Sequence, residues 1–134
     1  MNADGSNPVR ITNSPVNDFG PAWSPNHDII AFSSMVGEDW DIFTIRLDGS
    51  GLSRLTNQSG NNSRPTWSAD GKIVGFDSDR SGSAEIYSMN ADGTNVTRLT
   101  ENLYTDVEAT WSPNGRKIAF VSDRDGNAEI YVMN

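Results

Sequence analysis

An all-β fold made from one repeated four-stranded unit is the class this sequence predicts, and three observations predict it. Trp23, Trp67 and Trp111 stand 44 residues apart, and the same interval separates Phe32, Phe76 and Phe120. It also separates Ile42, Ile86 and Ile130, the Asp-Gly pairs at 4–5, 48–49 and 92–93, and Arg10, Arg54 and Arg98. Thr12, Thr56 and Thr100 repeat it again, and no gap is needed anywhere. Each period carries strand-sized apolar runs bounded by Asn-Gly, Asp-Gly or Pro-containing turns. No window holds a 3.6-residue apolar period, so no helix is expected. A fixed period of this size with four strands per period is the signature of a β-propeller blade array.

Taken in order, residues 1–12 open on a turn at Asp4-Gly5 and continue into a short strand of Val9, Arg10, Ile11 and Thr12. The counterparts of that strand, at 52–56 and 96–100, follow the third strand of a blade. The first twelve residues are therefore expected to supply the outer strand for the blade of a partner chain. Blade 1 covers residues 21–56, with an inner strand from Pro21 to Ser24 and later strands over 29–33 and 41–46. Its first turn holds His27 where the third blade has Gly115, and this one histidine reads as a solvated turn residue. Met35, Val36 and Trp40 stand where the other blades carry SDRSGSAE and SDRDGNAE, and they are expected to pack over the blade's outer edge. Blade 2 covers residues 65–100, with Asp70-Gly71 as its first hairpin turn.

Residues 109–134 supply the first three strands of blade 3, with no fourth. In its middle run Ile118 and Phe120 face one way while Ala119 and Val121 face the other. A strand apolar on both faces must be covered on both sides. Polar segments over 13–20, 57–64 and 101–108 are read as loops between blades.

Composition narrows the function. Ten Lys and Arg against 18 Asp and Glu give a formal charge of −8, which argues against nucleic acid and an anionic membrane surface as partners. There is no cysteine, hence no disulfide and no thiolate metal site. No apolar run approaches a membrane span, and the first ten residues lack a signal-peptide core. No G-x-S-x-G elbow and no H-E-x-x-H is present, so no catalytic residue is assigned and an enzyme is not expected. No cofactor is called for.

The repeat unit resembles the TolB-type, WD40-like β-propeller repeat. The resemblance is carried by Trp111 to Gly115, Ile118 to Phe120, Ser122 to Gly126 and Glu129 to Tyr131, with Asp92-Gly93 and Arg98 to Thr100 matching the linking turn and outer strand. It implies a ring of six or seven blades in a periplasmic or secreted setting. It also implies functions as diverse as adaptor proteins, peptidase gating domains and sugar-active enzymes. Met35 and Val36 depart from the family's Asp-Arg, which sets the inter-blade polar contacts of blade 1 apart.

Two groups of residues are candidates for binding. Asp18, Asn62 and Asp106 occupy equivalent positions just before the inner strands, with Arg64 and Glu108 two residues on. They are expected to line the channel mouth, where a protein, peptide or small ligand would bind. Asp123, Asp125 and Asn127 resemble the start of a calcium loop, but no bidentate Glu follows, so no metal is expected there. The assembly seam is the other functional expectation. The strand of residues 9–12 and the strand of Ile130, Tyr131, Val132 and Met133 are expected to pair between copies. Two chains head to tail would give a six-bladed homodimer, and a nine-bladed homotrimer ranks second. The favoured reading is a non-enzymatic, self-assembling scaffold, an excised or engineered half-propeller. The alternative is a substrate-gating or sugar-binding propeller domain of a larger hydrolase or lyase.

Overall fold

A computed structural model describes residues 4–134, and they form strands, turns and loops without a helix. β1 (Asp18–Trp23), β2 (Ile29–Val36), β3 (Asp39–Arg46) and β4 (Ser53–Arg54) make one antiparallel sheet in that order. β5 (Asn62–Trp67), β6 (Ile73–Ser78), β7 (Glu85–Asn90) and β8 (Thr97–Arg98) make the second. β9 (Asp106–Trp111), β10 (Ile118–Ser122) and β11 (Glu129–Met133) make a third sheet of three strands.

The core lies between the sheets, where apolar residues of the middle strands meet. Ile42 of β3 is fully buried against Val74, Phe76, Tyr87 and Met89 of the second sheet. One repeat later, Ile86 of β7 packs on Ala109, Ile118 and Phe120 of the third. The sheets therefore stack in chain order. β1, β2 and β3 all touch β5, and β5, β6 and β7 all touch β9. Among the described residues no strand of the first sheet touches a strand of the third, so the array is open at both ends.

The inner strands begin three residues earlier than the sequence suggests, at Asp18, Asn62 and Asp106. The reason is a β-bulge. Phe19 pairs with Ser33 and Ala22 with Ala31, which leaves one extra residue on β1, and β5 and β9 repeat the shift. The bulge places Gly20, Arg64 and Glu108 at positive φ (61°, 51° and 58°), a turn-like conformation that reads as loop. Its product is an N–H aimed out of its own sheet. Arg64 N–H donates to Ser33 Oγ at 3.0 Å and Glu108 N–H to Asp77 Oδ1 at 3.0 Å, each across a blade interface.

Two further expectations need correction. Val9, Arg10, Ile11 and Thr12 form no strand, since a strand requires a neighbouring edge for its backbone groups and no such edge stands beside them. They lie instead along the open face of the first sheet. Ile11 crosses the Gly49 turn there (a Cβ on Gly49 would sit 3.5 Å from Ile11 O) as Leu55 crosses Gly93, where the same gap would be 2.8 Å. The part of the 1–12 segment formed by residues 1–3 lies outside the described residues. Trp23 shares the period of Trp67 and Trp111, yet it is 62% exposed. Trp67 Nε1 reaches back to donate to Ala22 O of the preceding blade at 3.1 Å, and Trp23 has no preceding blade to reach.

Met35 and Val36 are half-buried at the end of β2, and Trp40 meets Phe19 edge-on at 4.6 Å. Arg80 and Arg124 occupy the position of Val36. Their guanidinium groups lie over the rings of Tyr87 at 4.8 Å and Tyr131 at 4.5 Å. The first blade thus replaces a cation over an aromatic ring with an aromatic pair.

Candidate functional site

The outer edge of the first and second blades is closed by one repeated polar clasp. β3 opens with Asp41 at its third residue and β7 with Glu85 at its first, both fully buried. The short outer strand that follows supplies the Arg, and the Thr lies two residues beyond it. Arg54 Nη2 donates to Asp41 Oδ2 at 2.5 Å and Thr56 Oγ1 donates to Asp41 Oδ1 at 2.5 Å. The same hydroxyl accepts Ile42 N–H at 2.9 Å. In blade 2, Arg98 Nη2 donates to Glu85 Oε1 at 2.7 Å, Thr100 Oγ1 donates to Glu85 Oε2, and Ile86 N–H donates to Thr100 Oγ1 at 3.0 Å. The clasp is needed because outer strands of two residues offer few ladder bonds. A charge-assisted pair fixes them where the ladder cannot. Sequence reasoning passed over these carboxylates, although Asp41, Glu85 and Glu129 keep the same interval as Arg10, Arg54 and Arg98.

The third repeat shows only part of this clasp. Glu129 is exposed, accepts only from Asn127 Nδ2 at 2.6 Å and has no cation beside it among the described residues. Ile130 and Val132 are 70% and 60% exposed, against 0% for Ile42 and Ile86. At the opposite end Arg10 and Thr12 have no carboxylate partner among the described residues, yet Arg10 Nε already donates to Thr12 O at 2.7 Å. Arg54 and Arg98 make that same internal bond at 2.8 Å and 2.7 Å. Beside residues 10–12 runs an apolar groove of about 340 Å³, lined by Phe19, Ile30, Phe32 and Ile45.

A second cluster sits at the bulges. Arg64 Nη1 pairs with Asp77 Oδ2 at 3.3 Å and its Nε lies 3.6 Å from Glu108 Oε1. Burial raises the Asp77 pKa to about 6, against the opposing pull of the Glu108 N–H and the Arg64 guanidinium. The sign of the pH effect follows. Between roughly pH 4 and 6 the folded chain binds more protons at Asp77 than the unfolded chain, so this group's contribution to stability falls as pH rises. The full swing is about 3 kcal/mol for a shift of this size. Asp4, Asp48, Asp70, Asp92 and Asp106 are lowered and act below that window. In Asp77→Asn the loss of stability between pH 4 and 6.5 should therefore shrink by about 2 kcal/mol. Urea unfolding at one fixed protein concentration measures it, and an unchanged slope would mean that Asp77 ionises like an exposed carboxyl.

The predicted channel residues separate into two classes. Arg64 and Glu108 are exposed at the bulges. Asn62 and Asp106 are fully buried and engaged inside the protein, which corrects their expected place on a channel wall. Asn62 Oδ1 accepts from Ser78 Oγ at 2.9 Å and from Arg80, while its Nδ2 donates to Asp41 Oδ1 at 3.2 Å. Asp106 accepts Asn102 Nδ2 at 2.7 Å and both oxygens take Arg124 at 3.1 Å. Asp18 lacks that arginine because Val36 stands in its place. Its Oδ2 takes Ser14 Oγ at 3.2 Å, and Oδ1 is buried without a partner.

The loop carboxylates have other partners too. Asp123 Oδ1 accepts Thr105 N–H at 2.8 Å, Asp125 accepts the Tyr131 hydroxyl, and Asn127 holds Glu129. Among the described residues no three metal-ligating side chains converge. His27 is exposed in its turn, without the left-handed backbone of Gly71 and Gly115.

Comparison with known proteins agrees with the geometry. The family model of the TolB beta propeller domain matches residues 1–134. Among solved structures, TolB from Acinetobacter baumannii is 32% identical with a TM-score of 0.87, over 97% of this chain and 33% of that one. A putative TolB from Agrobacterium tumefaciens is 28% identical with a TM-score of 0.81, over 91% of this chain and 46% of that one. An oligogalacturonate lyase from Vibrio parahaemolyticus shares the fold at 19% identity and a TM-score of 0.71, over 98% of this chain and 40% of that one. The chain thus spans less than half the length of each of these structures. A search of curated protein sequences found no match.

Proposed function

Because this chain belongs to the TolB β-propeller domain family, we propose that it is a non-catalytic propeller scaffold whose 134 residues close into a ring with a second copy. One observation carries the reading. The array ends on two unlike open faces, an exposed strand edge at β11 and an apolar groove beside residues 10–12, and each is the counterpart of a surface buried inside the array. Exposed strand edges of this kind are what folded proteins cover. Two copies joined head to tail present six blades, within the range of four to eight that propellers use, whereas three copies present nine. A twofold axis along the channel then satisfies both edges at once, and closure stops growth into a filament.

In that ring the bulge residues of both copies surround the channel, and Arg64 and Glu108 are the exposed charged groups there that would meet a protein, peptide or small ligand. The alternative, a gating or sugar-binding propeller of a larger hydrolase or lyase, rests on the same fold. Pull-down with peptides and glycans separates the two readings. Light scattering of the 134-residue chain should give twice its 14.6 kDa mass. A stable, soluble monomer at micromolar concentration would refute the ring.

A further inference from the structure

The two internal joints of the array repeat one arrangement and specify what the open faces accept. At each, the isoleucine after the clasp carboxylate enters a socket on the next sheet. Ile42 meets Val74, Phe76 and Met89, and Ile86 meets Ile118 and Phe120. The groove beside residues 10–12 is lined by Ile30, Phe32 and Ile45, the equivalents of those socket residues one repeat earlier. Its knob is missing. The knob of the third repeat, Ile130, is 70% exposed at the other end.

The polar half matches in the same way. Resting on the ring reading, we infer that the joint between copies is a third clasp, in which Glu129 of one copy is gripped by Arg10 and Thr12 of the other while Ile130 fills the Ile30–Phe32–Ile45 socket. Register follows from the internal joints. Phe43 pairs with Arg54 and Thr44 with Ser53, and Tyr87 pairs with Arg98 and Ser88 with Thr97. One interval on, Tyr131 lies opposite Arg10 and Val132 opposite Val9. Residues 9–12 become a strand when they gain this edge, which is the partner they lack in one chain.

The occupant is a second copy and not an unrelated protein, for two reasons. The head and the tail lie on the same chain in matching register. The head is also set in advance, since Arg10 holds Thr12 O in the bond its counterparts make inside a finished clasp. The ordering of that segment is partly complete before the copies meet, which lowers the entropic cost of joining. An unpaired charge at the buried joint is expensive, so the clasp also selects against edges lacking a carboxylate.

Charge reversal tests it. Neither Arg10 nor Glu129 is buried within one chain, so Arg10→Glu and Glu129→Arg should each fold like the parent by circular dichroism. Each alone places like charges at both seams, and its dimer dissociation constant should rise roughly thirtyfold or more. Mixed one to one, they should recover the dimer, because one seam regains the native pair and the other gains the reversed one. The double variant should dimerise with itself. Thr12→Val, which keeps the side chain's shape, should weaken the dimer by about tenfold. Single variants that dimerise as tightly as the parent, or a mixture that stays monomeric, would overturn the clasp and leave the ring standing. A monomeric parent would overturn both.

Discussion

Replacing Glu85 by Ala is expected to cost about 3–5 kcal/mol, the scale for removing one partner of a buried ion pair. Glu85 is fully buried and accepts from three donors, the Arg98 guanidinium, the Thr100 hydroxyl and the Asn102 N–H at 2.8 Å. Alanine leaves all three without that acceptor. It also frees β8, a strand of two residues whose position depends on the clasp. Thermal unfolding should move down by about 10–20 °C for a domain of this size. Glu85→Gln keeps one acceptor and should fall between the parent and the alanine variant. Glu129→Ala, at the equivalent but open position, should leave the stability of the single chain within about 0.5 kcal/mol of the parent. A drop of less than 1 kcal/mol for Glu85→Ala would mean that the clasp does not hold the outer strand.

Phe76→Ala carries the other large effect, about 3–5 kcal/mol. Phe76 is fully buried at the joint between the first two sheets, stacked on Tyr87 with ring centroids 5.8 Å apart and with Arg80 over its face at 5.4 Å. Nothing nearby can fill the volume it leaves, because its neighbours sit on sheet backbones that cannot close together. The contrast is with Trp23, which is larger but 62% exposed. Trp23→Ala should change the single chain's stability by less than about 1 kcal/mol and should weaken the ring, since the partner's third blade is what would cover it. Equal losses from the two substitutions, measured by urea unfolding of the monomeric Arg10→Glu variant, would contradict the assignment of Trp23 to the seam.

Periodicity by itself determined most of the architecture. Identical spacing of Trp, Phe, Ile, Asp-Gly and Arg-x-Thr set the number of sheets and the order of strands, because a strand's register is locked by its alternating apolar face and its turn. What it left out were features that depend on a neighbour. The bulges at Arg64 and Glu108 read as loop because they direct an N–H to the preceding sheet, a partner remote in sequence. Asn62 and Asp106 looked like channel residues for the same reason. Only folding brings Arg80 and Arg124 over them and removes them from water. Residues 9–12 read as a strand, and in one chain they are not one, since sequence can encode β-propensity but an edge must come from elsewhere. The clasp carboxylates Asp41, Glu85 and Glu129 were visible as a repeat, yet their meaning came from burial. Two are enclosed by the next Arg and Thr, and the third, Glu129, stands exposed with no cation beside it among the described residues.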